Sequence, residues 1–152
     1  AVLQPSAVRC DTACLKTLPA DVFADGAAEA LKTGVLCGEE LFSRMEHGLS
    51  ASAPEEIIAR CVSYKAGVVE RDEKEQGERK LLNLGHTVGH AIEKCSNFTI
   101  PHGHAVAAGL AIMVRAAANL GWITDEAKKL SEAERILPPA GRGRRPALPC
   151  PR

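Results

Sequence analysis

The sequence predicts an all-α fold, and three observations carry that expectation. Apolar residues recur at helical spacing, most clearly in Ile57, Ile58, Cys61 and Val62, with Lys65 at the edge of the same face. Helix-opening acids, Ser and Pro and helix-closing Gly divide the chain into helix-sized lengths. The strand-like runs, Val68-Val69 and Phe98-Thr-Ile100, are too short to found a sheet. With no internal repeat, the expected architecture is a helical bundle.

The elements follow in order. Asp21 or Asp25 is placed to cap a helix through Ala27-Ala-Glu-Ala-Leu-Lys32 that ends near Gly34. A second helix is expected from about Glu39 to His47, stopped by Gly48. Ser50 to Ser52 with Pro54-Glu-Glu opens a long helix from Glu55 to about Glu70. Asp72 to Glu78 reads as a loop or helix end, and Arg79 to Cys95 as one helix bearing histidines. Gly85 and Gly89 lie inside it, where glycine costs roughly 1 kcal/mol against alanine; close approach of a metal, a substrate or another helix would compensate. Asn97 to Pro101 then connects to a very apolar helix, opened by His102, running Ala105 to Leu120 and stopped at Gly121. Its small residues Ala107, Ala108, Gly109 and Ala111 suit close helix packing. A last helix, with Asp125 near its start, is expected to reach about Glu134. From Arg135 to Arg152 the chain is rich in Pro, Arg and Gly without periodicity, which predicts disorder or loose attachment. The expected organisation is thus one helical domain over 1–134, its first 20 residues a junction segment, and a tail over 135–152.

Composition bounds the partners. The 152 residues are 45% hydrophobic, enough for one real core, and carry a formal net charge of zero. That balance offers no electrostatic argument for a nucleic-acid or membrane partner, so small-molecule chemistry is the default expectation. Cys10, Cys14, Cys37, Cys61, Cys95 and Cys150 form no Cys-x-x-Cys pair or regular framework, and read as reduced, mostly core-filling thiols. The first residues lack a signal-peptide pattern, and no apolar run approaches the ~20 residues of a membrane span. A soluble, cytoplasmic protein is expected.

Candidate chemistry concentrates in Arg79-Lys-Leu-Leu-Asn-Leu-Gly-His-Thr-Val-Gly-His-Ala-Ile-Glu93 and the nearby His102-Gly-His104. His86 and His90, four apart on a helix, share one face and can address one pocket. Such a pair suits a divalent metal, but the spacer Thr-Val-Gly lacks the Glu of a zincin, which disfavours protease chemistry. Taken in isolation, the pair is equally well read as satisfied core histidines. No G-x-G-x-x-G follows a strand-like run, so nothing in the sequence supplies a dinucleotide-binding turn.

A wider set of positions carries a family resemblance. Lys65, Asp72-Glu-Lys-Glu-Gln-Gly-Glu-Arg79, Asn83, Gly85-His-Thr-x-Gly-His-Ala-Ile-Glu93 and His102-Gly-x-Ala-Val-x-x-Gly109 resemble the C-terminal domain of 3-dehydroquinate synthase. So do Gln4-Pro5, Asp11, Leu15-Lys-Thr-Leu-Pro19 and Gly26-x-Ala-Glu-x-x-Lys32, in the family's order. The resemblance implies Glu29, His86 and His102 as ligands of a divalent zinc or cobalt ion, leaving an open coordination position for a substrate hydroxyl. It implies that Lys65, Arg79 and Lys32 bind an anionic sugar acid phosphate. Asn83 and His90 match substrate contacts, and Glu75 a carboxylate of the same pocket; His90 is the candidate for proton handling or charge stabilisation. Without the resemblance, Glu75 and Lys65 read as solvated members of a charged surface. Thr17 and Leu18 match positions that touch NAD.

The implied reaction is the NAD- and metal-dependent conversion of 3-deoxy-arabino-heptulosonate 7-phosphate to 3-dehydroquinate with loss of phosphate, a step of the shikimate pathway. In the family an N-terminal Rossmann-like domain holds the NAD, and it is absent from this sequence, so this chain alone is expected to be inactive. Association as a homo-oligomer, or through the exposed domain-junction face, is expected. Three departures from the family stand out. His104 replaces a usual Glu, Pro19-Ala-Asp-Val-Phe23 lacks an Arg-Glu pair, and the tail lacks an Asp-Lys-Lys segment, as a shifted reading frame would produce. These leave two alternatives open: another sugar phosphate cyclase or a metal-dependent polyol dehydrogenase, and a non-catalytic metal-binding remnant or partner of a separate nucleotide-binding domain.

Overall fold

The computed structural model describes residues 5–46 and 54–123, and these form helices without any strand. A 3-10 turn, Thr12–Thr17, precedes α1 (Ala20–Cys37), α2 (Glu39–Glu46) and α3 (Pro54–Arg71). A second 3-10 turn, Glu78–Asn83, leads to α4 (His86–Cys95) and α5 (His102–Asn119). The all-α expectation holds. The expected reach to His47 and Gly48, the opening at Ser50 to Ser52, the helix from Asp125 and the 135–152 tail lie outside the described residues.

Local physics sets the boundaries. Asp11 accepts a hydrogen bond from the Ala13 amide at 3.0 Å and starts the first turn. Helix α1 begins directly after Pro19, earlier than the expected Ala27, with Asp21 in its first turn at the positive end of the helix dipole. Asp25 is therefore not a cap of α1 but lies within it. Gly34 does not end the helix: a Cβ there would stand 3.2 Å from Met45 Sδ, so this glycine serves helix packing. Pro54 opens α3, with Glu55 and Glu56 in its first turn and Arg71 in its last.

The single helix expected from Arg79 to Cys95 is in fact broken. Leu84 is extended and Gly85 is left-handed, with φ +79°, so α4 starts only at His86. Glycine takes that conformation without steric cost, and a Cβ there would also sit 2.9 Å from both Leu110 Cγ and the Val106 carbonyl. The break turns the histidine-bearing helix onto α5.

Two kinds of packing hold the described residues together. Leu31, Leu41, Met45 and Ile57 form a conventional core among α1, α2 and α3, with Ala30, Phe42 and Cys61 against it. Each large side chain buried there contributes roughly 1.5–3 kcal/mol. The α4–α5 seam uses small residues instead. A Cβ on Gly109 would overlap the Gly85 carbonyl, and one on Gly89 would come within 3.2 Å of Val106 Cα. Likewise a Cβ on Gly103 would overlap the Asp25 carbonyl, so the first turn of α5 rests directly on α1.

The cysteine expectation needs correction. Cys10, Cys14, Cys37 and Cys95 are exposed and Cys61 is half-buried, all as free thiols. The reason is positional: Cys10 and Cys14 lie at or in an N-terminal turn that has no buried residue, and Cys37 and Cys95 end α1 and α4. Among the described residues, no helix is long and apolar enough to cross a membrane.

Candidate functional site

A cleft of about 590 Å³ opens between α1, α3, the Glu78–Asn83 turn and the first turns of α4 and α5. Eight of the expected site residues line it: Glu29, Lys32, Lys65, Glu75, Arg79, Asn83, His86 and His102. They come from four helices, the Glu78–Asn83 turn and the loop before it, so only helix packing brings them together.

At one end Glu29 faces two imidazoles. Its Oε1 lies 4.0 Å from His86 Nε2 and 3.8 Å from His102 Nε2. The opposite ring nitrogens are committed: His86 Nδ1 donates to the Leu84 carbonyl at 3.2 Å, and His102 Nδ1 to Glu93 Oε1 at 3.1 Å. In a neutral imidazole such a bond places the proton on Nδ1 and turns the Nε2 lone pair toward Glu29. Burial pushes the His86 imidazole below its ordinary range; the Leu84 carbonyl opposes this and the Lys32 ammonium reinforces it. His86 is thereby kept in the neutral form that binds a metal.

Glu29 Oε1 is buried and has no hydrogen-bond partner. Its other oxygen accepts from Lys32 Nζ at 2.7 Å. Lys32 is only 5% exposed, so this pair is held on a lysine with almost no access to water. One carboxylate oxygen and two imidazole nitrogens within 4.8 Å repel one another unless a cation or proton lies between them. The donor set fits a divalent metal with room for a further ligand.

The other wall is cationic and is set by a loop. Asp72 closes residues 72–79 by accepting from the amides of Gln76 at 2.9 Å, Gly77 at 2.8 Å and Arg79 at 3.0 Å. Those bonds, led by Gln76, hold its carboxyl below the usual carboxylate range. Arg71 and Glu78 pair through two contacts, 2.9 and 2.8 Å, across the ends of the loop. Arg79 Nη1 donates to the Glu73 carbonyl at 2.7 Å, which steadies its guanidinium at the cleft. Asn83 donates to Glu75 Oε1 at 2.6 Å, so these two act as one polar unit. Exposed Lys65 reaches the cleft from α3, and Cys61 lines it as a thiol, burial raising it above its ordinary range.

The remaining expected residues stand apart. His90 is exposed and does not line the cleft, but its ring lies 5.3 Å from that of His86 and 5.9 Å from that of His102. It also forms a second possible ligand group with Glu93 and His102, although His102 Nδ1 is already engaged by Glu93. Leu18 lines an adjoining apolar pocket of about 210 Å³ that shares Gly26, Ala30 and Ile58 with the cleft. Thr17 lines neither space; its hydroxyl donates to the Cys14 carbonyl at 3.3 Å. Sequence reasoning missed Glu93 as the partner of His102, although its spacing from His86 and His90 places all three on one helical face. It also missed Asp72 as the organiser of the loop.

Fold and site together define a class: the described residues form an all-helical domain with a cleft lined by a cluster of histidine, carboxylate, lysine and arginine side chains. The chain belongs to the 3-dehydroquinate synthase C-terminal family, which it matches over residues 26–141. It is similar to the 3-dehydroquinate synthase of Shewanella loihica, 45% identical over 130 residues, covering 81% of this chain and 36% of that protein. The Dehalococcoides mccartyi enzyme is 42% identical over 129 residues, covering 81% and 36%. That of Pseudoalteromonas atlantica is 40% identical over 144 residues, covering 90% and 39%. The chain thus spans little more than a third of the relatives it matches.

Proposed function

We propose that this chain is the metal- and substrate-binding part of a 3-dehydroquinate synthase, a phosphate-eliminating lyase acting on 3-deoxy-arabino-heptulosonate 7-phosphate. The observation that carries the proposal is the buried, unpartnered Glu29 Oε1 facing two imidazole lone pairs at the end of a cleft lined by Lys32, Lys65 and Arg79. When bound, a zinc or cobalt ion supplies Lewis acidity at a substrate hydroxyl, and NAD, on a nucleotide-binding domain, carries the hydride.

The chain's own residues bind and orient. Glu29, His86 and His102 hold the metal, with Lys32 offsetting the carboxylate charge and Glu93 fixing the His102 ring. Arg79 offers a planar fork to a phosphate or carboxylate, and Lys65 a point charge. Asn83, oriented by Glu75, donates to substrate hydroxyls. His90, beside both ligand rings and open to solvent, takes a proton-handling or charge-stabilising role at the edge of the metal site. Leu18 and Val22, exposed beside the apolar pocket, support docking of the nucleotide-binding domain on this face, with NAD reaching Thr17 and Leu18. The exposed free thiols support a reducing, cytoplasmic setting.

Metal content of the purified chain, measured by mass spectrometry beside a His86→Ala, His102→Ala double variant, tests the site. Near-stoichiometric metal lost in the variant is expected; no metal in the parent refutes it. Phosphate release with a nucleotide-binding domain and NAD supplied in trans tests the reaction. Metal retention without any release would favour a non-catalytic metal-binding role.

A further inference from the structure

Asp25 and His104 line neither the cleft nor the apolar pocket, yet they join two of the elements that build the site. Asp25 Oδ1 accepts from the backbone N–H of His104 at 2.9 Å and from its Nδ1 at 3.0 Å. Both residues are half-buried. The His104 amide is one of the N-terminal donors of α5 that no intrahelical carbonyl can reach. The cap position of α5 is Pro101, which makes no side-chain cap. The carboxylate that serves this helix start therefore comes from another helix.

The placement matters more than the bonds. Asp25 stands one turn before Glu29 on α1, and His104 two residues after His102 on α5. Between them Gly103 rests on the Asp25 carbonyl with no room for a Cβ. Two hydrogen bonds and one backbone contact thus restrain sliding and rotation of α5 on α1. The 3.8 Å separation of Glu29 Oε1 and His102 Nε2 is measured across that same seam. We propose that the Asp25–His104 pair is a positioning clamp that sets the spacing of Glu29 and His102, an inference that rests on the metal reading above. A cap that only stabilised the fold would leave metal affinity in the folded protein unchanged.

The test uses the full chain with Zn²⁺ alone, its binding measured by competition with a chromophoric chelator under strongly folding conditions. Asp25→Ala and His104→Ala are expected to weaken zinc binding roughly tenfold or more, within the 10–100-fold range of residues that orient ligands. His104→Asn, whose side-chain N–H lies where Nδ1 does, is expected to restore most of that loss. Wild-type affinity in His104→Ala, with zinc bound tightly by the parent, would overturn the clamp and leave the metal site standing. If the parent bound no zinc, the metal reading would fall. Amide hydrogen exchange would then judge the clamp: faster exchange at His104 in Asp25→Ala supports the restraint on α5, and unchanged exchange overturns it.

Discussion

Replacing Gly109 by alanine forces a methyl group into the tightest contact between α4 and α5. Its Cβ would overlap the Gly85 carbonyl oxygen and lie 3.0 Å from the Gly89 amide nitrogen. Both are backbone atoms, one in a left-handed residue and one in the first turn of α4, so no side-chain rotation relieves the clash. The helices must separate, and overpacking of this kind costs about 1–3 kcal/mol. Alanine returns about 1 kcal/mol through helix propensity, for a net destabilisation of up to about 2 kcal/mol. Gly26 supplies the control: it lies within α1 and a Cβ there meets nothing within 4 Å. Gly26→Ala is expected to stabilise by about 0.5–1 kcal/mol. Urea unfolding of both variants at matched slopes measures the difference. The same substitution in two helices should thus have opposite signs. Gly109→Ala as stable as Gly26→Ala would refute the claim that backbone approach organises the α4–α5 seam.

Three further outcomes are expected. Asp72 has a folded pKa below its unfolded value, so the unfolded chain takes up its proton first as pH falls. Its contribution is full above about pH 4 and is lost as pH drops through the lower folded value, so Asp72→Ala should flatten the acid limb of a stability–pH profile and converge with the parent at its foot. Lys65→Met, at an exposed position of α3, should leave stability within about 0.5 kcal/mol while weakening inorganic phosphate binding followed by NMR titration. Glu93→Gln should reduce metal affinity by about 10–100-fold in chelator competition, because His102 loses the carboxylate that orients its ring.

Fold class was legible because helix formation is local: periodicity and Pro and Gly signals mark α3 and α5 to within a few residues. Errors arose where tertiary contacts override local preference. Gly34 reads as a stop until Met45 is seen packed against it. Gly85 reads as a weak point within a helix until its positive φ shows a break, a backbone state that spacing cannot reveal. The candidate ligands were legible only through the family's pattern, since Glu29 and His102 lie 73 residues apart and no periodicity relates them. Glu93 and Asp25 were harder still. Their carboxylates act on partners in other segments, whereas in the sequence Glu93 looks like an ordinary helical acid and Asp25 like a cap of its own helix.

The arrangement around Glu29 separates a site from a merely well-packed helix bundle. Lys32 takes one carboxylate oxygen and so fixes the direction of the other. A buried acceptor left unsatisfied costs about 1–3 kcal/mol, and Glu29 Oε1 bears that cost between two lone pairs. Because the Glu29 side chain retains 37% exposure, the lower part of that range applies. On the proposed reading the cost disappears on metal binding. At a free metal concentration 100 times Kd, the folded state gains about 2.7 kcal/mol. Metal should therefore raise the urea midpoint of the parent and not of the His86→Ala, His102→Ala variant. A bundle shaped by stability alone would place a donor at Oε1, whereas here the Nδ1 atoms of both nearby imidazoles are engaged by Leu84 and Glu93, which on the proposed reading leaves that position to a cation.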